Sequence, residues 1–189
     1  MGLDIVILGP PGAGKGTQAK LIADELGIPH VATGDMLRAA IANGSPLGRQ
    51  VREIVLEGHL VPDNLMIGLV RERLLADDTK DGFVLDGFPR TLAQAEGLDR
   101  MLEEIDRGEL SVVLNFELPE EVAEQRLLDR HRDDDTPEVI RTRLREQYVP
   151  DDLVEYYRAG GNLVGIHADR SVDEVFSEVL DVLQTAGAQ

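Results

Sequence analysis

At 189 residues the chain is long enough for one well-buried domain and short for two. With 36 acidic against 19 basic residues, its formal charge of −17 disfavours nucleic-acid backbones and anionic membranes as general partners. The absence of cysteine excludes disulfides, thiolate zinc sites and cysteine catalysis, and no stretch approaches the roughly 18 apolar residues that span a bilayer. The opening MGLDIVILGP has no basic leader region, so a soluble cytoplasmic protein is the expectation. Aromatics make up only 4% of the chain, which leaves an aliphatic core. The basic set is lopsided, 16 Arg to 3 Lys, and Arg is the residue suited to bidentate phosphate contacts.

In chain order, Leu3–Leu8 reads as a short buried strand that runs into a glycine loop. A helix follows over Lys15–Leu26, ended by Gly27 and Pro29. PHVAT is a second short strand. Gly34–Asn43, Leu47–Glu57 and Asp63–Leu75 are helical, separated by NGSP and GHLVP. Gly82–Asp86 is a strand of the buried kind. Thr91–Ile105 is a helix, with Thr91 as N-cap and Gln94 at the capping-box position. Val112–Glu117 is a strand, Pro119–Arg130 a helix with Pro at its start, and HRDDDTP breaks the pattern. Pro137–Gln147 and Asp151–Ala159 are helical, Leu163–His167 is a last strand, and Val172–Gln184 a last amphipathic helix. Strands alternating with helices predict an α/β fold with a parallel five-stranded sheet covered by helices on both faces, one domain over residues 1–189. Two stretches interrupt the plain βα units, a helical excursion over Ala32–Val61 and a polar turn over Arg130–Pro137. Both lie at or follow from the carboxyl ends of strands, where open α/β sheets bind ligands.

GPPGAGKGTQ, Gly9–Gln18, follows a strand and opens a helix, as a phosphate cradle requires. Gly12, Gly14 and Gly16 allow backbone N–H groups to turn toward an anion, and the helix N-terminus and Lys15 add positive charge. The usual phosphate loop has Ser or Thr directly after the lysine, to meet magnesium. Here Gly16 takes that place and Thr17 comes one residue late, about 100° further around the helix. The spacing does not fit a G-x-G-x-x-G dinucleotide loop, and no acidic residue ends the second strand. DGFPRT, Asp86–Thr91, places a carboxylate at a strand end beside the loop, suited to arranging magnesium through water, with Arg90 able to reach a phosphoryl group. By itself DGFPRT would also serve as a plain turn into a capped helix.

ATGDMLR, Ala32–Arg38, puts Arg38 one turn into a helix. Either a capped helix with a surface Arg or the wall of a second nucleotide pocket fits it. Six arginines, at 126, 130, 132, 141, 143 and 145, fall within twenty residues. Arg126 and Arg130 share a helix face, where like charges repel unless an anion lies between them. The other reading is a solvated face balanced by Asp133, Asp134 and Asp135. His30, His59, His131 and His167 share no metal-ligand spacing and read as structural or surface residues.

Taken in order and spacing, GPPGAGKGTQ, TGDMLR, GHLVPD and LDGFPRTLAQ closely resemble the adenylate kinase family, over essentially the whole chain. That resemblance implies a P-loop NTPase-like three-layer fold with a monophosphate-binding segment over residues 32–61 and a lid over residues 128–138. It implies reversible magnesium-dependent transfer between ATP and AMP, giving two ADP, by a monomer. Carried over by motif, Gly12, Ala13, Gly14, Lys15, Gly16, Thr17, Arg130 and Arg170 would hold ATP. Thr33, Arg38, His59, Leu60, Val61, Gly87, Phe88, Pro89, Arg90, Gln94, Arg132 and Arg143 would hold AMP. Lys15, Arg90, Arg126, Arg132 and Arg143 would stabilise the transferring group, and Asp35 and Asp86 would arrange magnesium waters. Only one residue separates Arg130 from Arg132, which resembles the family's short-lid form without zinc. The chain departs from the family at Gln147, where a tyrosine is typical, and carries Pro150 early. A UMP/CMP kinase is the nearest alternative, although Thr33 and Thr91 replace the Ala and Asn typical of those enzymes. A non-catalytic nucleotide sensor is the other.

Overall fold

The computed structural model describes residues 2–130 and 136–186. Its five strands are β1 (Leu3–Leu8), β2 (His30–Ala32), β3 (Gly82–Asp86), β4 (Val112–Glu117) and β5 (Leu163–His167). They form one parallel sheet in the order β2-β3-β1-β4-β5. The helices among the described residues are α1 (Lys15–Leu26), α2 (Thr33–Ala42), α3 (Pro46–Leu56), α4 (Asp63–Leu74), α5 (Leu92–Glu104), α6 (Glu120–Asp129), α7 (Pro137–Glu146), α8 (Asp151–Gly160) and α9 (Val172–Ala186). The expected α/β architecture is therefore present, with element ends within about two residues of those read from the sequence.

The period of two along each strand divides the apolar side chains into two cores. Ile5, Ile7, Val84, Val112, Leu114 and Phe116 face one side and meet Ile22, Ala123, Leu127, Val179 and Leu183 of α1, α6 and α9. Val6, Leu8, Phe83, Leu85 and Val113 face the other and meet Val51, Val70, Leu98, Leu102 and Leu153 of α3, α4, α5 and α8. Burial on both faces explains why the strands read as continuous apolar runs rather than alternating ones.

One element escaped the sequence reading, a short 3₁₀ turn over Asp77–Thr79. No apolar periodicity marks it. It is held by the buried Thr79 hydroxyl, which donates to the carbonyls of Leu74 and Ala76 at 2.9 and 2.8 Å. The α5 cap also differs in detail. Thr91 accepts from the Gln94 N–H at 3.2 Å, as a cap should, but Gln94 Oε1 accepts from the N–H of Arg90, one residue short of the reciprocal capping-box bond.

Register is what assembles the site. Asp86, the last residue of β3, pairs with Ile7 on one side and Ala32 on the other. The chain therefore leaves β1, β2 and β3 side by side, and the three segments beginning at Gly9, Thr33 and Gly87 emerge together at the carboxyl edge of the sheet. The junction is tight. Thr33 Oγ1 donates to the Asp86 carbonyl at 3.1 Å, and a Cβ on Gly87 would lie 2.7 Å from that hydroxyl. With φ at +84°, position 87 needs glycine for both conformation and space.

Candidate active site

A cavity of about 800 Å³ opens over these three segments, toward the upper end of the range for small-molecule sites. Its lining includes seven cationic side chains, Lys15, Lys20, Arg38, Arg90, Arg126, Arg130 and Arg143, and three acidic ones, Asp35, Asp86 and Asp129. In a chain of charge −17 this is a local reversal of sign, which favours an anion.

Lys15 begins α1 at the base of the cavity. Its ammonium donates to the carbonyls of Gly9 and Pro10, each at 2.8 Å, which anchors the side chain over its own loop. Two of its three N–H donors are thereby used, and one remains for a ligand. Burial lowers its pKa to about 8; the Asp86 carboxylate opposes that fall, and the Arg90 and Arg130 charges add to it. Burial of Asp86 works to raise its pKa. The neighbouring His30 ring and the charges of Lys15 and Arg90 outweigh that and hold the carboxyl below its usual range. Desolvation of the half-buried Arg90 lowers its pKa, with Asp86 opposing and Arg143 adding to the fall. Three mutually perturbed, desolvated charges at strand ends in one cavity mark a place where charge is handled chemically.

Gly16 lies beside Asp86: a Cβ at position 16 would sit 3.4 Å from Asp86 Oδ2, an ordinary contact distance. For magnesium the arrangement fits, with carboxylate oxygen beside a phosphate cradle. Among the described residues no group of three or more His, Cys, Asp or Glu gathers as a metal cage.

A model of the adenylate kinase family matches residues 7–162. An adenylate kinase from Corynebacterium aurimucosum is 48% identical, over 94% of this chain and 97% of its own. One from Cyanothece sp. is 45% identical, over 95% of this chain and 94% of its own.

The chain belongs to the adenylate kinase family.

Another relative, the adenylate kinase of Archaeoglobus fulgidus, is 39% identical over 96% of this chain and 98% of its own. That alignment runs to 214 positions, more than the 189 residues here, so the Archaeoglobus adenylate kinase carries residues with no counterpart in this chain.

Of the residues expected from the adenylate kinase motifs, Gly12, Gly14, Lys15, Gly16, Thr17, Thr33, Asp35, Arg38, His59, Leu60, Val61, Asp86, Gly87, Arg90, Gln94, Arg126, Arg130 and Arg143 all line the cavity. Four of the remainder do not. Ala13 is buried in the sheet–helix core, and Phe88 is buried on its opposite face. Pro89, after a cis peptide bond, lines a small space behind Lys15 and Arg90. Arg170 is turned to Glu178, and its Nε donates to the His167 carbonyl at 3.2 Å. Arg132 and the central part of the expected lid lie outside the described residues. Asp35 is paired with Arg38 on the first turn of α2.

Three further residues belong to the site. His30 lines the cavity, and its Nε2 lies 3.5 Å from Asp86 Oδ2. The signal was its place two residues before the end of a strand whose partner ends in Asp86. Gln147 caps α7. Its Oε1 accepts from Arg90 Nη1 at 2.9 Å and its Nε2 donates to the Gly58 carbonyl at 2.7 Å. The residue that departs from the family pattern thus ties Arg90 to the turn after α3. A Cβ at Gly58, whose φ is +83°, would lie 3.1 Å from Val139 and Arg143 of α7, so that contact is close-packed. His59 reinforces it, Nδ1 lying 2.7 Å from Glu146 Oε2. Asp63, the third residue, accepts from Gln94 and Thr91. Nothing in the sequence marks these tertiary partners, because residues 58 and 147 meet only once α7 is packed.

Proposed function

We propose that the protein catalyses magnesium-dependent phosphoryl transfer between ATP and AMP, forming two ADP, reversibly. The observation that carries this is the convergence of Lys15, Asp86 and Arg90, half-buried and shifted in pKa by one another's charges, in one cation-lined cavity at the carboxyl ends of β1 and β3. Family membership supplies the substrate class.

In this reading the backbone N–H groups of Gly12–Thr17 cradle the ATP phosphates and Lys15 holds the transferring group. Arg130 lies on the ATP side, with Ala13 and Arg170 contributing through their backbones. Thr33, Arg38, the backbone of His59–Val61, Gly87–Arg90 and Gln94 hold AMP. An oxygen of the AMP phosphate attacks the γ-phosphorus, and the bond from that phosphorus to the ADP oxygen breaks, with no covalent intermediate on the protein. Arg90, Arg126, Arg132 and Arg143 offset the charge that spreads over the transferring oxygens. Magnesium arriving with ATP would neutralise phosphate charge, its waters held by Asp86 and Asp35. The arginines come from separate segments, so closure of residues 32–61 and 128–138 completes the site and excludes the water that would otherwise take the phosphoryl group. We place the enzyme in the cytoplasm as a monomer acting on free nucleotides, in keeping with its acidic surplus.

A coupled assay with MgATP and each monophosphate tests the reading. AMP should turn over fastest. Faster turnover of UMP or CMP would overturn the adenylate assignment in favour of a pyrimidine kinase. Binding of both nucleotides without ADP formation would make the protein a sensor.

A further inference from the structure

We propose that Asp63 is a specificity-determining residue, which fixes the amide of Gln94 in one orientation and so makes the pocket choose between an amino-purine and an oxo-purine monophosphate. The inference rests on the reading of this cavity as a nucleoside monophosphate site.

Gln94 sits in the first turn of α5, 1% exposed, and lines the cavity. Its Oε1 accepts from the Arg90 N–H at 2.8 Å, and its Nε2 donates to Asp63 Oδ1 at 2.7 Å. A backbone N–H only donates and an ionised carboxylate only accepts. Turning the amide over would set donor against donor at Arg90 and acceptor against acceptor at Asp63, with the amide itself buried. The orientation is therefore dictated by chemistry at each end. Asp63 is itself held. The Thr91 hydroxyl donates to the same Oδ1 at 3.1 Å while accepting from the Gln94 N–H at 3.2 Å, which directs its hydrogen to the carboxylate. The restraint links the start of α4 to the cap of α5.

A primary amide has two N–H donors and two acceptor lone pairs. One of each is engaged within the protein, and one of each is left, in an order that cannot be exchanged. Adenine presents an exocyclic amine beside an unprotonated ring nitrogen, donor then acceptor. Hypoxanthine presents a carbonyl beside a ring N–H, acceptor then donor. For a base anchored through its ribose phosphate, one amide orientation matches the first and the reverse matches the second. A glutamine free to turn over would accept either. Asp63, together with the Arg90 N–H, removes that freedom, and the mismatched base then leaves buried polar groups unpaired, which is how such sites reject analogues.

The test compares kcat/KM for AMP and for IMP, which differ only at this edge, in wild type and in Asp63→Asn. Asparagine can donate as well as accept, so it removes the mismatch at position 63 and leaves the turned amide opposed by the Arg90 N–H alone. The AMP-to-IMP ratio should be well above one in wild type and fall about tenfold or more in the variant, the scale of one relieved buried mismatch. The ratio comes from a single preparation, so a loss of folded protein cancels. Asp63→Leu, which offers neither donor nor acceptor, also removes the preference at position 63 and should lower the ratio as well. An Asp63→Asn ratio equal to wild type, a wild type without preference for AMP, or a leucine ratio equal to wild type would overturn the role of Asp63. No ADP from AMP in wild type would instead overturn the assignment of the pocket.

Discussion

At the amino end of the sheet Asp4 and Arg107 are buried together, and protein groups surround them. Arg107 donates through Nε and Nη2 to the two Asp4 oxygens and through Nη1 to the Thr79 carbonyl, with its guanidinium 5.2 Å from the centre of the Phe83 ring. At the carboxyl end the pattern is inverted. Lys15, Arg90 and their neighbours crowd around few carboxylates, and their pKa values are moved by desolvation and by one another. Buried charge is expensive to hold in either place. The amino-end charges are neutralised by their neighbours and lock β1 to the turn before β3 and the chain after α5. Among the residues that line the carboxyl-end cavity, seven cationic side chains stand with three carboxylates, a balance that favours an anionic ligand.

The sharpest way to break this contrast is to exchange its effects. Lys15→Ala and Arg90→Ala should each lower kcat by several orders of magnitude, the scale of removing such charges from phosphoryl transfer, while leaving Tm near wild type. Steady-state kinetics measure it, and a loss below about tenfold in both would contradict their roles. Arg107→Ala, which strands the Asp4 carboxylate, should cost about 3–5 kcal/mol of stability, roughly 10 °C in Tm, with kcat of the folded fraction unchanged. Thermal unfolding reads this directly. Replacing both partners, Asp4→Leu with Arg107→Met, should restore much of the loss.

A pH profile gives a smaller effect. Lys15 carries its charge below pH 8 and loses it above, so kcat/KM for ATP should fall by up to about tenfold per pH unit beyond that point. Bound phosphate favours the charged form, so the matching limb in kcat should lie at higher pH. Coincident limbs would show that Lys15 does not meet the phosphates. Smallest, Gln147→Leu should reduce kcat/KM for AMP by about tenfold, because Arg90 and the Gly58 turn lose a shared partner and with it about one or two net hydrogen bonds. Gln147→Glu, which keeps an acceptor for Arg90 but loses the donor to Gly58, should recover part of it. Equal losses in the two variants would place the role with Gly58 alone.

Much of this was legible in the sequence, for physical reasons. Strands buried on both faces announce themselves as short apolar runs bounded by glycine and proline, and all five lie where those runs predicted. The loop at Gly9–Gln18 and the turn at Asp86–Thr91 carry their chemistry in consecutive residues. The register that sets Asp86 between Ile7 and Ala32 is a tertiary fact, and what depends on it was hidden. His30 looked bland because its partner is 56 residues away. Gln147 looked like a fault in a motif, until its amide proved to join Arg90 to Gly58. Gly16, the missing hydroxyl, was visible from the start, but the Asp86 carboxylate beside it was not.

The most direct test of the contrast pairs Arg90→Ala with Arg107→Ala and measures both kcat for ADP formation and Tm on each protein. The account predicts a crossed result, with kcat lost and Tm kept for position 90, and Tm lost and kcat kept for position 107. Parallel losses in both quantities at both positions would contradict it.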